Sequence, residues 1–196
     1  LETPLREVPF VIFDLKTTGF RPHQGDEILS IGAVRVQGGI AGKEGRFHTL
    51  VQPVRPVPEE ITLLTGITQE EASRAPEPAD ALERWLNYIG QSTLVAYGAG
   101  HDAAFIREAL RKTWKSRLTH RIPDGWQIAR CLHPDWPDHS LDSALQQYGI
   151  PIQNRHTADG DAWMTALLWE RMLNVCRERS IHSLDQLYSA LNQIRY

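Results

Sequence analysis

Val8 to Leu15 reads VPFVIFDL. The run is apolar on both faces, the pattern of a strand buried in the middle of a sheet. Near its end stands a carboxylate, Asp14. Thr17 to Asp26 is polar and holds Gly and Pro, which predicts a loop. Glu27 to Gln37, rich in Ile and Val, predicts a second strand. Gly38-Gly39 marks a turn, and Arg46 to Val51 predicts a third strand. Connections this short leave no room for a crossover helix, so the three strands form a meander.

Working outward, Pro53 to Pro58 is a rigid connection. Short helices follow around Glu59–Leu64 and Thr68–Ala72, and Pro78 opens a longer helix to about Ile89. Thr93 to Tyr97 (TLVAY) predicts a strand, followed by a helix from Asp102 to Lys112. A region with Trp114, Trp126 and Trp136 leads to helices near Gly125–Leu132 and Ser140–Tyr148. A long helix covers about Ala158 to Glu178 and a last one Ser183 to Ile194. Three strands, then helix, strand, helix, then mostly helix make an α/β sandwich around a mixed sheet. No repeat, low-complexity tract or internal linker divides the chain, so residues 1–196 are read as a single domain.

The chain is 41% hydrophobic and 23% charged, enough to bury a real core. Its net charge of −3 excludes a global basic field, so nucleic-acid binding must rest on a local site. Cys131 and Cys176 lie far apart and follow apolar helical patterns, which predicts reduced thiols rather than a disulfide framework or a zinc site. With no signal peptide or membrane-length apolar run, the cytoplasm is the expected location and no membrane partner is expected. A start at Leu1 rather than methionine fits a trimmed chain or a domain cut from a longer protein.

Three aspartates stand out. Strand alternation puts Asp14 on one face with Ile12 and Lys16. Asp102 opens a helix, with Phe105 and Ile106 three and four residues on, so it projects from the buried face. Asp161 lies on the stripe Met164, Leu168, Met172 of the long helix. Alone, Asp102 or Asp161 reads rather as a helix cap or dipole partner, worth about 1 kcal/mol, and Asp14 as a turn residue at a strand end. Brought together, buried carboxylates repel, and divalent cations remove that cost. Oxygen ligands with open positions favour Mg²⁺ or Mn²⁺. His156, five residues before Asp161, is a candidate general base beside a metal-bound water.

FDLKTTG (Phe13–Gly19), LVAYGAGHDAAFI (Leu94–Ile106) and HTADGD (His156–Asp161) resemble the three motifs of the DEDDh (DnaQ-like) 3'-5' exonuclease superfamily. EILSIGAVRV (Glu27–Val36) and LTGIT (Leu64–Thr68) are further hallmarks in the right order. The likeness runs from about Pro9 to Leu173 and is greatest to bacterial domains related to the proofreading epsilon subunit of DNA polymerase III. It implies a ribonuclease H-like fold, a mixed five-stranded sheet flanked by helices. It also implies metal-dependent removal of nucleotides from DNA 3' ends by two-metal hydrolysis. Carried over by position, Asp14 would bridge two metals, Asp161 bind the first and Asp102 the second. His156 would deprotonate the attacking water. Thr17, Thr18 and Gly19 would lie by the terminal nucleotide, with Leu64 and Thr65 packed against it; Leu64 reads equally as core, and Phe105 reads rather as core, although its family counterparts lie near the base. The implied partners are single-stranded DNA or 3' ends and a polymerase or fused domain.

One residue breaks the pattern. Lys16 stands where the family has glutamate, removing a metal ligand and adding a cation; its long stem could alternatively run out to solvent. Three readings therefore stand: a DNA 3'-5' exonuclease, an RNA-trimming exoribonuclease, or an impaired relative that binds 3' ends or a protein partner.

Overall fold

The computed structural model describes residues 2–42 and 44–193. Strand β1 (Phe10–Thr17) lies inside a five-stranded mixed sheet. It pairs antiparallel with β2 (Ile28–Gln37), Asp14 opposite Gly32. The Gly38-Gly39 turn leads into a two-residue strand, β3 (Ile40–Ala41), before β4 (Phe47–Leu50), and both pair with β2. The meander thus contains one more short strand than its sequence pattern predicts, because the turn itself closes a hairpin.

Helices α1 (Glu59–Thr65), α2 (Gln69–Ser73) and α3 (Pro78–Ile89) precede β5 (Thr93–Val95), which runs parallel to β1. Then come α4 (Ala99–Trp114), α5 (Gly125–Leu132), α6 (Leu141–Gln147), α7 (Ala158–Glu178) and α8 (Leu184–Asn192). The predicted end of the last helix at Ile194 lies outside the described residues. Two predicted boundaries move. Strand β5 stops at Val95, because Ala96 pairs instead with Asp124. Helix α4 starts three residues before Asp102. Gly98, in a left-handed conformation (φ 75°), turns the chain directly into the helix, and its N–H donates to Asp124 at 2.9 Å.

Alternation along β1 divides the core. Phe10 and Ile12 face α7, among Met164, Leu168 and Met172, with Phe10 edge-on to Trp169 at 5.2 Å. Val11, Phe13 and Leu15 face α3 and α4, with Phe13 against Trp85 at 5.6 Å. This two-sided burial is what the unbroken apolar run of the strand requires. Among the described residues no helix is long and apolar enough to cross a membrane.

Candidate active site

Strand β1 continues to Thr17, so Asp14 and Lys16 leave the sheet on the α7 side. The first turns of α7 bring Asp161 to meet them. Thr157 caps that helix, its hydroxyl accepting from the Gly160 N–H at 3.2 Å. Just upstream, Asn154 and His156 hold left-handed conformations (φ 50° and 71°), which side chains other than glycine's rarely adopt. In this turn the His156 N–H donates to Asp161 Oδ1 at 3.1 Å. The link between motif histidine and motif aspartate is therefore made by backbone, while the His156 ring stays half-buried.

Lys16 does not run to solvent. Its side chain is only 15% exposed, and Nζ donates to Asp161 Oδ2 at 2.7 Å and lies 3.3 Å from Asp14 Oδ2. Asp14 Oδ2 is near enough for an ion pair but receives no aligned hydrogen bond, so it stays a buried, unsatisfied acceptor. A second cation enters from the other side. Arg155 Nη1 donates to Asp161 Oδ2 at 2.6 Å, and its Nε donates to Asp142 Oδ1 at 2.6 Å. Asp161 thus has both oxygens occupied by donors from the protein. Asp102, 4% exposed, stands in the first turn of α4.

The electrostatics follow from this crowding. Burial pushes the Asp14 carboxyl up to about 7; Lys16 pulls it back and Asp161 pushes it further. Burial, then the charge of Asp14, holds Asp102 well above the usual carboxylate range. Burial disfavours the Lys16 ammonium, but Asp14 and Asp161 outweigh it and leave its pKa above the ordinary value. Lys16 ties Asp14 to Asp161, and Asp102 lies near enough to feel the charge of Asp14, but among the described residues no group of three or more His, Cys, Asp or Glu side chains is placed to hold a metal ion.

The substrate candidates divide. Thr17 and Gly19 stand half-buried at the rim, the Thr17 hydroxyl donating to the Gly19 carbonyl at 2.7 Å. Leu64 is 53% exposed on α1 and is not core. Thr18, Thr65 and Phe105 are buried and spend their side chains on the fold. Thr18 ties down the loop through Asp26 and the Glu27 N–H, Thr65 donates to the Ile61 carbonyl, and Phe105 packs in the core under His101. Sequence reasoning passed over Arg155 and Phe20. The signal for Arg155 was its place directly before His156. The signal for Phe20 was a large aromatic in a polar loop; it is 86% exposed and sits edge-on to His101 at 5.9 Å.

The chain matches the family model described as Exonuclease (RNase_T) over residues 11–169. It belongs to the exonuclease family. A DNA polymerase III subunit epsilon-like protein of Rhodobacter capsulatus is 36% identical over 92% of the chain, and the match spans 26% of that protein. The PolC-type DNA polymerase III of Bacillus subtilis is 31% identical over 96% of the chain and 13% of its own length. The chain thus spans about a quarter or less of these curated relatives. The nuclease domain of 3'hExo, a DEDDh family member bound to rAMP, shares the fold (TM-score 0.77, 18% identity, 88% of this chain and 94% of that one). So does exonuclease X in complex with 5' overhanging duplex DNA (TM-score 0.72, 21% identity, 93% and 99%). The ribonuclease H-like fold and the DEDDh resemblance expected from the motifs are those of this nuclease family.

Whether these residues suit divalent metals depends on which side of Asp14 is considered. Toward Asp161 they do not, because the Lys16 ammonium lies between the two carboxylates and Arg155 takes the same Asp161 oxygen. Toward Asp102 the fit is partial: Asp14 and Asp102 are buried carboxylates of raised pKa, but the unsatisfied Asp14 Oδ2 is also the oxygen 3.3 Å from Lys16 Nζ, and among the described residues no group of three or more His, Cys, Asp or Glu side chains is placed to hold a metal ion. A metal there must displace the proton that Asp14 holds below about pH 7. Mn²⁺ affinity is therefore expected to rise with pH, roughly tenfold per unit for each of Asp14 and Asp102 that is still protonated, and to level off only when both have lost their protons. Calorimetric titration from acid to mildly alkaline pH checks this. An affinity that does not change with pH would remove Asp14 from the ligand set.

Proposed function

We propose that this domain is a metal-dependent 3'-5' exonuclease acting on single-stranded DNA ends, attenuated by Lys16 and using one divalent ion rather than two. The observation that carries the reading is Lys16 set between Asp14 and Asp161, with buried Asp102 near enough to feel the charge of Asp14. An ion held by Asp14 and Asp102 would neutralise charge developing on the phosphoryl oxygens. His156 is the residue assigned to take the proton from the attacking water. The exposed ring of Phe20 offers a stacking face for a base, and Leu64 an apolar wall, both indifferent to base identity. DNA is preferred over RNA as the substrate on the strength of the polymerase relatives, and on the same ground the domain is assigned a place beside a polymerase.

A strand labelled at its 3' end, incubated with Mn²⁺, is expected to lose the label slowly as mononucleotide, while a 5' label stays on the shortening strand. Release from the 5' end, or cutting at internal positions, would overturn the assignment.

A further inference from the structure

Residues 107–121 carry Arg107, Arg111, Lys112, Lys115, Arg117 and Arg121, six of the chain's 21 lysines and arginines, against one acid, Glu108. All six are exposed. Glu108 is buried beneath them and already shared: Arg111 binds both its oxygens at 2.6 and 3.0 Å, and Lys112 lies at 3.9 Å. Among the described residues, Arg107, Lys115, Arg117 and Arg121 have no carboxylate within ion-pairing distance. In a chain of net charge −3 this is a concentrated positive surface.

The cations line concave ground. Arg107, Arg111, Lys115 and Arg117 border a cavity of about 510 Å³. Arg107 and Arg121 border a second of about 460 Å³, which reaches Ala99 and Gly100. The two cavities share Arg107, and the second extends to the turn of α4 that carries Asp102. Arg107 follows Asp102 by five residues, roughly 7–8 Å along the helix axis. Five residues also turn the helix by about 140°, so one helix carries Asp102 on its buried face and the basic ground on its exposed face.

We propose that this groove is a second nucleic-acid surface, holding the phosphodiester backbone of the strand upstream of the 3' end. Its chemistry is that of phosphate contacts: exposed guanidinium and ammonium groups, against Glu108, already shared, and Asp124, which lines the second cavity and accepts from the Gly98 and Trp126 N–H groups. The inference deepens the exonuclease reading and rests on it. A strand held there is retained between successive cuts, and positions near the end are not read by sequence.

The test measures binding in EDTA, so that hydrolysis plays no part. Two fluorescent single strands are compared, one of about 4 nucleotides that fills only the cleft and one of about 20 that reaches the groove. The variant is Arg107→Ala/Lys115→Ala/Arg117→Ala. The control, Arg6→Ala/Arg74→Ala/Arg177→Ala, removes the same charge from exposed positions elsewhere. The groove variant is expected to bind the long strand roughly tenfold or more weakly and to reduce the salt slope of log K by about 2. The short strand should bind both variants as it binds the native chain. Equal loss in groove variant and control, or no loss in either, would overturn the groove. So would displacement of the long strand by polyglutamate at equal charge concentration, which would make an acidic protein the occupant. Failure of 3' hydrolysis with the binding pattern intact would instead count against the exonuclease reading.

Discussion

Lys16→Glu is expected to raise both Mn²⁺ affinity and the rate of 3' nucleotide release by at least about tenfold, the largest gain foreseen for this site. The native ammonium lies 2.7 Å from Asp161 Oδ2 and 3.3 Å from Asp14 Oδ2. Even at an effective dielectric near 20, unit charges about 4 Å apart interact by about 4 kcal/mol. A divalent ion entering beside Asp14 meets that repulsion, and a second ion finds its place between Asp14 and Asp161 taken. Each tenfold in affinity needs only about 1.4 kcal/mol. Glutamate removes the cation and supplies a ligand, so two ions should then bind where one bound before. Lys16→Met separates the two effects, since it removes the charge without adding a carboxylate. Without metal, both variants leave buried carboxylates less well paired and should melt lower than the native chain. Mn²⁺ should restore the glutamate variant more than the methionine one. If native and Lys16→Glu chains bind the same number of Mn²⁺ ions with equal affinity and cut at equal rates, the blocking role of Lys16 is wrong.

The fold was legible because its decisive element is a two-sided apolar strand, and such a strand has few places to go. Alternation along Val8–Leu15 anticipated both faces of β1, and with them the meeting of Asp14 and Lys16 with Asp161. Two things were not legible. Arg155 reaches Asp161 because a pair of left-handed residues, Asn154 and His156, reverses the chain just before α7. Neither is glycine; Asn and His tolerate the left-handed region better than most side chains, but they occupy it too seldom to announce the turn. The burial of Thr18 and Thr65 was likewise hidden. A threonine at a loop or a helix end gives no sign in the sequence that its hydroxyl fastens the backbone. The basic groove was masked by composition, since acids elsewhere in the chain bring the total to −3.

Gly32→Ala is expected to be a severely damaging single-methyl change near the site. Gly32 lies opposite Asp14 in the β1–β2 pair, and the first turn of α7 descends onto it. A Cβ at this position would stand 2.3 Å from the Ala158 carbonyl oxygen and 2.5 Å from the Asp159 nitrogen. Both are backbone atoms of a helix packed along its length on the sheet, so no side chain can turn aside to make room. Normal contact needs α7 to retreat by about 1 Å at its N-terminal end, where Asp161 and the His156 turn are held. Overpacking of this kind costs about 1–3 kcal/mol. In a chain of this size that lowers Tm by roughly 2–4 °C per kcal/mol. The larger effect falls on chemistry, since a displacement near 1 Å in a positioned group can cost about a hundredfold in rate. The rate is best read in the Lys16→Glu background, where activity is expected to be higher, and the melting temperature in both backgrounds. Ala33→Gly, one residue along and facing the α3–α4 layer, removes a buried methyl without touching α7. It should lower stability with far less effect on the rate at full folding. A Gly32→Ala chain that melts and cuts like its parent would show that α7 does not owe its depth over Asp14 to this glycine.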